Sequence, residues 1–155
     1  MMRRSILLAS ASPRRSELLR QVGIDHEIRP VDVDESVRPG EAPSAYVLRL
    51  AEAKAAALWQ RLAAAERRPV LAADTTVALE GEIFGKPADL AEARVMLGRL
   101  SGRTHEVHTA VAVLHDGGAA ARVSSSSVSL RALTPAEIDW YWRTGEPADK
   151  AGGYA

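Results

Sequence analysis

One stretch of the chain places a carboxylate and an ammonium around a predicted hairpin. The apolar run Val70 to Ala73 predicts a short buried strand, and Asp74 follows where the pattern turns polar, where sheet proteins often place ligand-facing groups. Because Asp often ends strands, a turn or cap role for Asp74 is supported equally well by this stretch alone. Glu80-Gly81-Glu82 predicts the hairpin turn, and Lys86 precedes Pro87 in a stiff loop. A carboxylate can orient or deprotonate water, and an ammonium can neutralise a phosphate.

The start of the first predicted helix combines serine hydroxyls with two arginines. The apolar run Ile6 to Ala9 predicts a strand, Ser12 is a suitable N-cap, and a proline occupies the first helical position. Arg14 and Arg15 then fall in the first turn, where the helix dipole disfavours cations. With backbone N–H groups and the hydroxyls of Ser10 and Ser12, they predict a phosphate-binding helix start. Solvated surface arginines are the alternative.

Three carboxylates lie within four positions at the end of the second predicted strand, which runs from His26 to Val33. Asp32, Asp34 and Glu35 repel one another, and a divalent cation commonly relieves such repulsion. The chain has no cysteine, so a metal would be held by carboxylates or histidine, which favours magnesium or manganese. Taken alone, the cluster is better explained as a solvated acidic loop.

A lysine falls on the apolar face of the longest predicted helix, which runs from about Ser44 to Ala65. Lys54 lies four residues after Leu50 and seven after Val47, so it belongs to the buried stripe. Its ammonium either snorkels to the edge of the core or points into an interior cleft that contains anions.

The second half of the chain predicts two helices around a long hairpin. Asp89 to Glu92 forms a capping box that opens one helix, and Thr134 to Glu137 forms a second. Between them, Thr104 to His115 and Ala121 to Arg131 alternate as paired strands. The aromatic run Trp140-Tyr141-Trp142 predicts a core or dimer contact.

Length and composition bound the class of protein. With 155 residues the chain is long enough for a single domain with a substantial core. Its 20 basic and 20 acidic residues cancel, which argues against nucleic acid or an anionic membrane as a partner. No apolar run approaches the length of a spanning helix or a signal peptide, so a cytoplasmic protein is expected.

Seven motifs, in this order along the chain, resemble those of the Maf family of nucleoside triphosphate pyrophosphatases. They are Ser10-Ala11-Ser12-Pro13-Arg14-Arg15, Asp34-Glu35, Ala53-Lys54-Ala55, Ala73-Asp74-Thr75, Gly85-Lys86-Pro87, Leu100-Ser101-Gly102 and Glu146-Pro147-Ala148-Asp149-Lys150-Ala151-Gly152. The resemblance implies an α/β protein with an elongated, two-lobed Maf/ITPase-like fold. A central mixed, twisted sheet would be flanked by helices, with an active-site cleft between the lobes. Residues 1 to 155 would form a single domain that lacks the family's C-terminal closing segment.

The resemblance also implies an enzyme that releases pyrophosphate from a nucleoside triphosphate, with a divalent cation, Mg²⁺ or Mn²⁺, as cofactor. Asp74 is similar in position to the general base that activates water, with Lys54, Lys86 and Glu35 as further catalytic residues. The implied substrate contacts are Ser10, Ser12, Arg14, Arg15 and Thr75, and the implied metal ligands are Glu35, Asp74 and Asp34.

Substrate choice within the family is expected to depend on Thr75. Threonine directly after the aspartate resembles the branch that acts on dTTP and UTP, whereas the branch that prefers methylated GTP tends to carry glutamine. A further glutamine expected just after Ala155 is absent from this sequence. The resemblance also implies modified nucleotides as further substrates and a homodimeric state.

Of three rival interpretations, the first is set aside on the sequence and the other two are open. A haloacid-dehalogenase-type phosphatase would need a second aspartate where Thr76 stands. A nucleotide-binding regulator of septum formation would bind nucleotide without turnover. A general anion-binding module would show no metal dependence.

Overall fold

The computed structural model describes residues 5 to 155 as a six-stranded sheet with four α-helices. The strands are β1 (Ile6–Leu8), β2 (His26–Ile28), β3 (Val70–Leu79), β4 (Glu82–Phe84), β5 (Thr104–His115) and β6 (Gly118–Ser129). The helices are α1 (Pro13–Gln21), α2 (Pro43–Arg61), α3 (Leu90–Leu100) and α4 (Pro135–Arg143). Short 3₁₀ helices cover Ala64–Glu66, Glu146–Asp149 and Ala151–Gly153.

The sheet is mixed, as predicted for this α/β fold. Its strand order is β2-β1-β3-β5-β6, and β4 pairs with β3 outside this path. β1 lies parallel to β2, with Ile6 opposite His26, and parallel to β3, with Leu7 opposite Val70. β3 and β4 are antiparallel, which confirms the predicted hairpin.

The chain divides into two compact units. Unit 1 contains the residues up to Glu41, Ala45–Asp74 and Ala110–Val123, and unit 2 contains Ala42–Ser44, Thr75–Thr109 and Ser124–Ala155. The three long strands β3, β5 and β6 therefore each contribute residues to both units.

Unit 1 contains the parallel strands, α1 and most of α2. The start of α1 agrees with the prediction in that Ser12 is the N-cap residue and Pro13 follows it, but the Ser12 side chain makes no capping hydrogen bond. α2 ends at Arg61, earlier than predicted, and Leu62 follows it. The buried side chains of unit 1 include Leu7, Leu8, Val47, Leu50, Ala51, Leu58, Val70 and Ala72.

Unit 2 contains the β3–β4 hairpin, α3, α4 and the last residues of the chain. Thr134 accepts from Glu137 N while Glu137 accepts from Thr134 N, which confirms that capping box. Asp89 caps α3 by accepting from Glu92 N, but Glu92 accepts from Ala88 N instead of completing the box. A core cluster joins Val77, Leu79, Phe84 and Leu100, with Met96, Val107, Leu130, Ala151 and Tyr154 packed against it.

Two local predictions need correction. Asp74 does not follow a strand that ends at Ala73, because β3 continues through it to Leu79. The second strand covers only His26–Ile28, so the acidic residues that follow lie outside regular structure. Within residues 5 to 155, no helix has the length and apolar character needed to span a membrane.

Candidate active site

The Lys54 side chain in unit 1 joins two carboxylates. Its Nζ lies 2.8 Å from Asp74 Oδ1 and 2.8 Å from Glu35 Oε1. The Lys54 and Asp74 side chains are each 12% exposed, whereas the Glu35 side chain is 50% exposed. Lys54 therefore links an interior carboxylate on β3 to one that reaches solvent. Of the two outcomes that the sequence left open for this lysine, the structure favours an inward ammonium facing anions.

The helix α2 positions Lys54 because its neighbours on the same face are core residues. Leu50 and Val47, one and two turns before Lys54, are at most 1% exposed. The apolar face docks the helix, and Lys54 projects from that face toward β3, where Asp74 accepts its hydrogen bond. A lysine on an apolar stripe was thus a usable signal for a buried ion pair.

Two residues on α2 hold the loop that carries Glu35, and neither was predicted as part of the site. The Tyr46 hydroxyl donates to the Glu35 carbonyl over 2.8 Å. Arg49 donates to the Ser36 carbonyl over 2.9 Å and pairs with Glu41 over 2.7 Å. The sequence signal for Tyr46 was its place on the buried stripe, because a buried tyrosine hydroxyl needs a partner.

Burial and charge act in opposite directions on the two paired groups. Burial raises the pKa of Asp74 above its usual value, although the hydrogen bond from Lys54 and the charge of Arg15 pull it down. Burial acts to lower the pKa of Lys54, but the hydrogen bonds to Asp74 and Glu35 outweigh it, so the net pKa is raised. Asp74 thus binds a proton more readily than an exposed aspartate, which suits a general base.

Arg15 and Ser10 lie at the β1–α1 connection of the same unit. Ser10 is buried, and its hydroxyl accepts from Ser12 N over 3.1 Å and from Arg15 Nη1 over 3.4 Å. Burial lowers the pKa of Arg15, partly offset by the charge of Asp74. Arg14 is exposed. Arg15 therefore interacts electrostatically with Asp74 and Glu35, Ser10 accepts a hydrogen bond from Arg15, and Ser12 acts through its backbone.

The carboxylates fit a divalent cation only in part. Asp34 is exposed, and its Oδ1 accepts from Ser36 N over 2.9 Å and from Ser36 Oγ over 2.5 Å. Among the described residues, no group of three or more His, Asp or Glu side chains could hold a metal ion. Mg²⁺ often uses one or two carboxylates and completes its shell with water and substrate phosphates, which Asp74 and Glu35 could satisfy.

Two predicted site residues belong to unit 2. The exposed Thr75 places its Oγ1 2.9 Å from Thr109 Oγ1. Because successive strand residues point to opposite faces, Thr75 and Asp74 face opposite sides of β3. Lys86 is exposed in the loop between β4 and α3.

Comparison with a solved structure identifies the class of fold. The structure is similar to that of the Staphylococcus aureus Ham1 protein, with a TM-score of 0.52 and 18% identity, over 81% of this chain and 70% of that one. This likeness establishes an α/β fold shared with the Ham1 protein.

The sequence then identifies the family. The Maf family, described as Maf-like protein, matches residues 5–155, and the chain belongs to it. A protein of Anaeromyxobacter sp. strain Fw109-5 named dTTP/UTP pyrophosphatase is 52% identical, over 97% of this chain and 72% of that protein. A protein of Chromobacterium violaceum with the same name is 50% identical, over 96% of this chain and 76% of that protein.

Proposed function

We propose that this protein is a nucleoside triphosphate pyrophosphatase that hydrolyses dTTP and UTP to the monophosphate and pyrophosphate. The observation that carries the proposal is the buried Asp74 carboxylate, held by Lys54 over 2.8 Å and with its pKa raised by burial. The name of the 52% identical relative supplies the substrate class. Positive side chains next to a carboxylate of this kind suit attack by water on a phosphoryl group.

In the proposed reaction, the oxygen of a water molecule forms a bond to the α-phosphorus. The bond from that phosphorus to the bridging oxygen breaks, and pyrophosphate leaves. Asp74 takes the proton from water, and its raised pKa makes it a stronger base than an exposed aspartate. Lys54 fixes the orientation of the carboxylate through Oδ1. Arg14, Arg15 and Lys86 are the proposed phosphate contacts.

A divalent cation is a further part of the proposal. Asp74 and Glu35 would hold it without Asp34, because no three such side chains among the described residues come together as a metal site. When bound, Mg²⁺ or Mn²⁺ would neutralise charge on the phosphates. Omission of the metal and addition of a chelator should therefore stop turnover.

Several finer expectations also remain proposals. They are the selection of the pyrimidine base through Thr75, the use of modified nucleotides, a homodimeric state, a cytoplasmic location and a single domain over residues 1 to 155. A regulator that binds nucleotide without turnover is the competing function, and the names of the relatives favour the enzyme.

A nucleotide panel tests the proposal. UTP, dTTP, CTP, ITP and 7-methyl-GTP are incubated with Mg²⁺ or Mn²⁺, and the products are separated by chromatography. UTP and dTTP should yield monophosphate and pyrophosphate. Asp74→Asn should reduce kcat by about 10³-fold, within the range for loss of a general base, with UTP binding retained. The matched control, Asp25→Asn, changes an exposed aspartate of the same unit and should remain active.

Two results would contradict the proposal. A folded wild-type chain that binds UTP and leaves it intact would favour the regulator. An Asp74→Asn variant as active as Asp25→Asn would show that another group activates water.

A further inference from the structure

The last residues of the chain pack against the loop that carries Lys86, and both belong to unit 2. The Gly152 N–H donates to the Gly85 carbonyl over 3.0 Å. On the other side of Lys86, a methyl group placed on Gly153 would lie 3.6 Å from Pro87 Cγ. The C-terminal residues thus hydrogen-bond to Gly85 and lie beside Pro87, the two residues that flank Lys86.

Gly152 is adapted to this contact in two ways. Its φ of +73° lies in the left-handed region that side chains disfavour. A Cβ there would also lie 3.0 Å from both γ-carbons of Val77, which is 3% exposed on β3. An alanine would therefore strain the backbone and press against a core side chain, pushing the Gly152 N–H away from Gly85.

The chain is anchored on both sides of Gly152. Tyr154 packs against the core cluster of unit 2, and its hydroxyl lies 2.5 Å from His105 Nε2. On the other side, the Lys150 ammonium donates to the Glu146 carbonyl over 2.9 Å. The Tyr154 anchor and the local Lys150–Glu146 bond restrict the backbone around Gly152, whose N–H holds the Gly85 carbonyl.

Lys86 depends on this backbone support. Within residues 5 to 155 its ammonium makes no hydrogen bond or ion pair, so no polar partner fixes where it points. The reach of the ammonium is then set by the backbone of Gly85-Lys86-Pro87. That backbone is held by the contacts with Gly152 and Gly153.

We propose that Gly152 is a positioning residue that acts through Lys86, by docking the C-terminal residues against the loop on which Lys86 stands. The inference rests on the proposed role of Lys86 as a phosphate contact. It adds a residue without reactive atoms to the groups on which substrate binding depends.

The test compares Gly152→Ala with Gly145→Ala. Gly145 also has a positive φ, +77°, but a Cβ there would meet nothing within 4 Å. Both variants carry the backbone strain, and only the first disturbs the loop. With UTP and Mg²⁺, kcat/KM should fall on the order of 10- to 100-fold for Gly152→Ala, as expected for misplacement of a binding group, and about twofold or less for Gly145→Ala.

The Lys86→Ala background distinguishes a positioning role of Gly152 from a general loss of stability. Lys86→Ala should lower kcat/KM, and adding Gly152→Ala to it should cause little further loss, since coupled residues are not additive. Equal values for Gly152→Ala and Gly145→Ala would overturn the inference, as would a full additional loss in the Lys86→Ala background.

A measurement that does not require activity completes the test. The amide at position 152, which donates to the Gly85 carbonyl, should be less protected from hydrogen exchange in Gly152→Ala than in Gly145→Ala, and equal protection would refute the docking. If Gly152→Ala does not fold, Tyr154→Phe removes one anchoring hydroxyl and should give a smaller loss that also vanishes with Lys86→Ala. A folded wild type without turnover refutes the proposed function, whereas the exchange rates judge the docking separately.

Discussion

Two polar contacts in the interior of this protein differ in charge. One joins ionised groups, and the other joins neutral groups. In unit 1, Lys54 holds Asp74 and Glu35 at 2.8 Å in a cluster of ionised groups. In unit 2, His105 and Tyr154 share a hydrogen bond of 2.5 Å between groups that are neutral at pH 7. Nδ1 of His105 is buried and makes no hydrogen bond with the described residues.

The pKa shifts show the physical difference. Burial alone lowers the pKa of His105 and raises the pKa of Tyr154, so both groups are held neutral. Burial acts on Asp74 in the same direction, but Lys54 and Arg15 oppose it. A buried charge thus persists only where an opposite charge accompanies it, and a neutral pair is sufficient where the role is to anchor the chain.

The largest effect is expected when Lys54, the cation that Asp74 and Glu35 share, is removed. Lys54→Met should destabilise the fold by about 3 kcal/mol, because it leaves a buried carboxylate without its partner. Urea denaturation measures the change. Arg61→Met, which removes an exposed cation from the same helix, should change stability by about 0.5 kcal/mol or less.

The same variant has a defined pH dependence. Without Lys54, the folded-state pKa of Asp74 rises further above its unfolded-state pKa. The stability of the variant should therefore fall as pH rises from the unfolded-state pKa through the folded-state pKa. The loss should therefore be smaller at pH 5 than at pH 8. A loss independent of pH would mean that Lys54 contributes by packing and not by pairing with Asp74.

The neutral pair can be tested through His105. Its folded pKa lies below the unfolded value of about 6.5, so the unfolded chain binds a proton first as pH falls. The stability that neutral His105 contributes should therefore be fully present above the unfolded-state pKa and decrease as pH falls below it. His105→Gln should be less stable at pH 8 but lose less on acidification than the wild type.

The smallest effect is expected where a charge pair is exposed. Arg131 donates to both carboxylate oxygens of Glu137, and this pairing with the Thr134 cap lowers the Glu137 pKa to about 2. Its stabilisation should be present above the unfolded value near 4.5 and be lost as pH falls toward 2. Glu137→Gln should remove that dependence with only a slight loss of stability at pH 7, measured by thermal unfolding. A loss as large as that of Lys54→Met would contradict the comparison.

Secondary-structure elements whose sequence signals lie within a few neighbouring residues were predictable. The Thr134 capping box, the β3–β4 hairpin and the bounds of β5 depend on signals a few residues apart, and the structure confirms them. The proline start of α1 was also predicted, although the Ser12 side chain does not cap it.

Predictions that required long-range partners were less complete. Asp74 was expected at a strand end, but pairing with β4 extends β3 to Leu79. The sequence singled out Lys54 without naming its partner, because Asp74 lies 20 residues away and only the packing of α2 brings them together. The contact of the Tyr46 hydroxyl with the Glu35 carbonyl was not predicted, because these residues lie 11 positions apart and meet only when α2 packs.

The sequence by itself determined the α/β class, the family motifs and the residue types available for chemistry, because periodicity, caps and motifs are local properties. The tertiary structure decided which charges meet, since burial and the distance between remote residues set the pKa of Asp74. It also decided that a glycine supports the Lys86 loop, because the 3.0 Å approach to Val77 exists only once the C-terminal residues pack on β3.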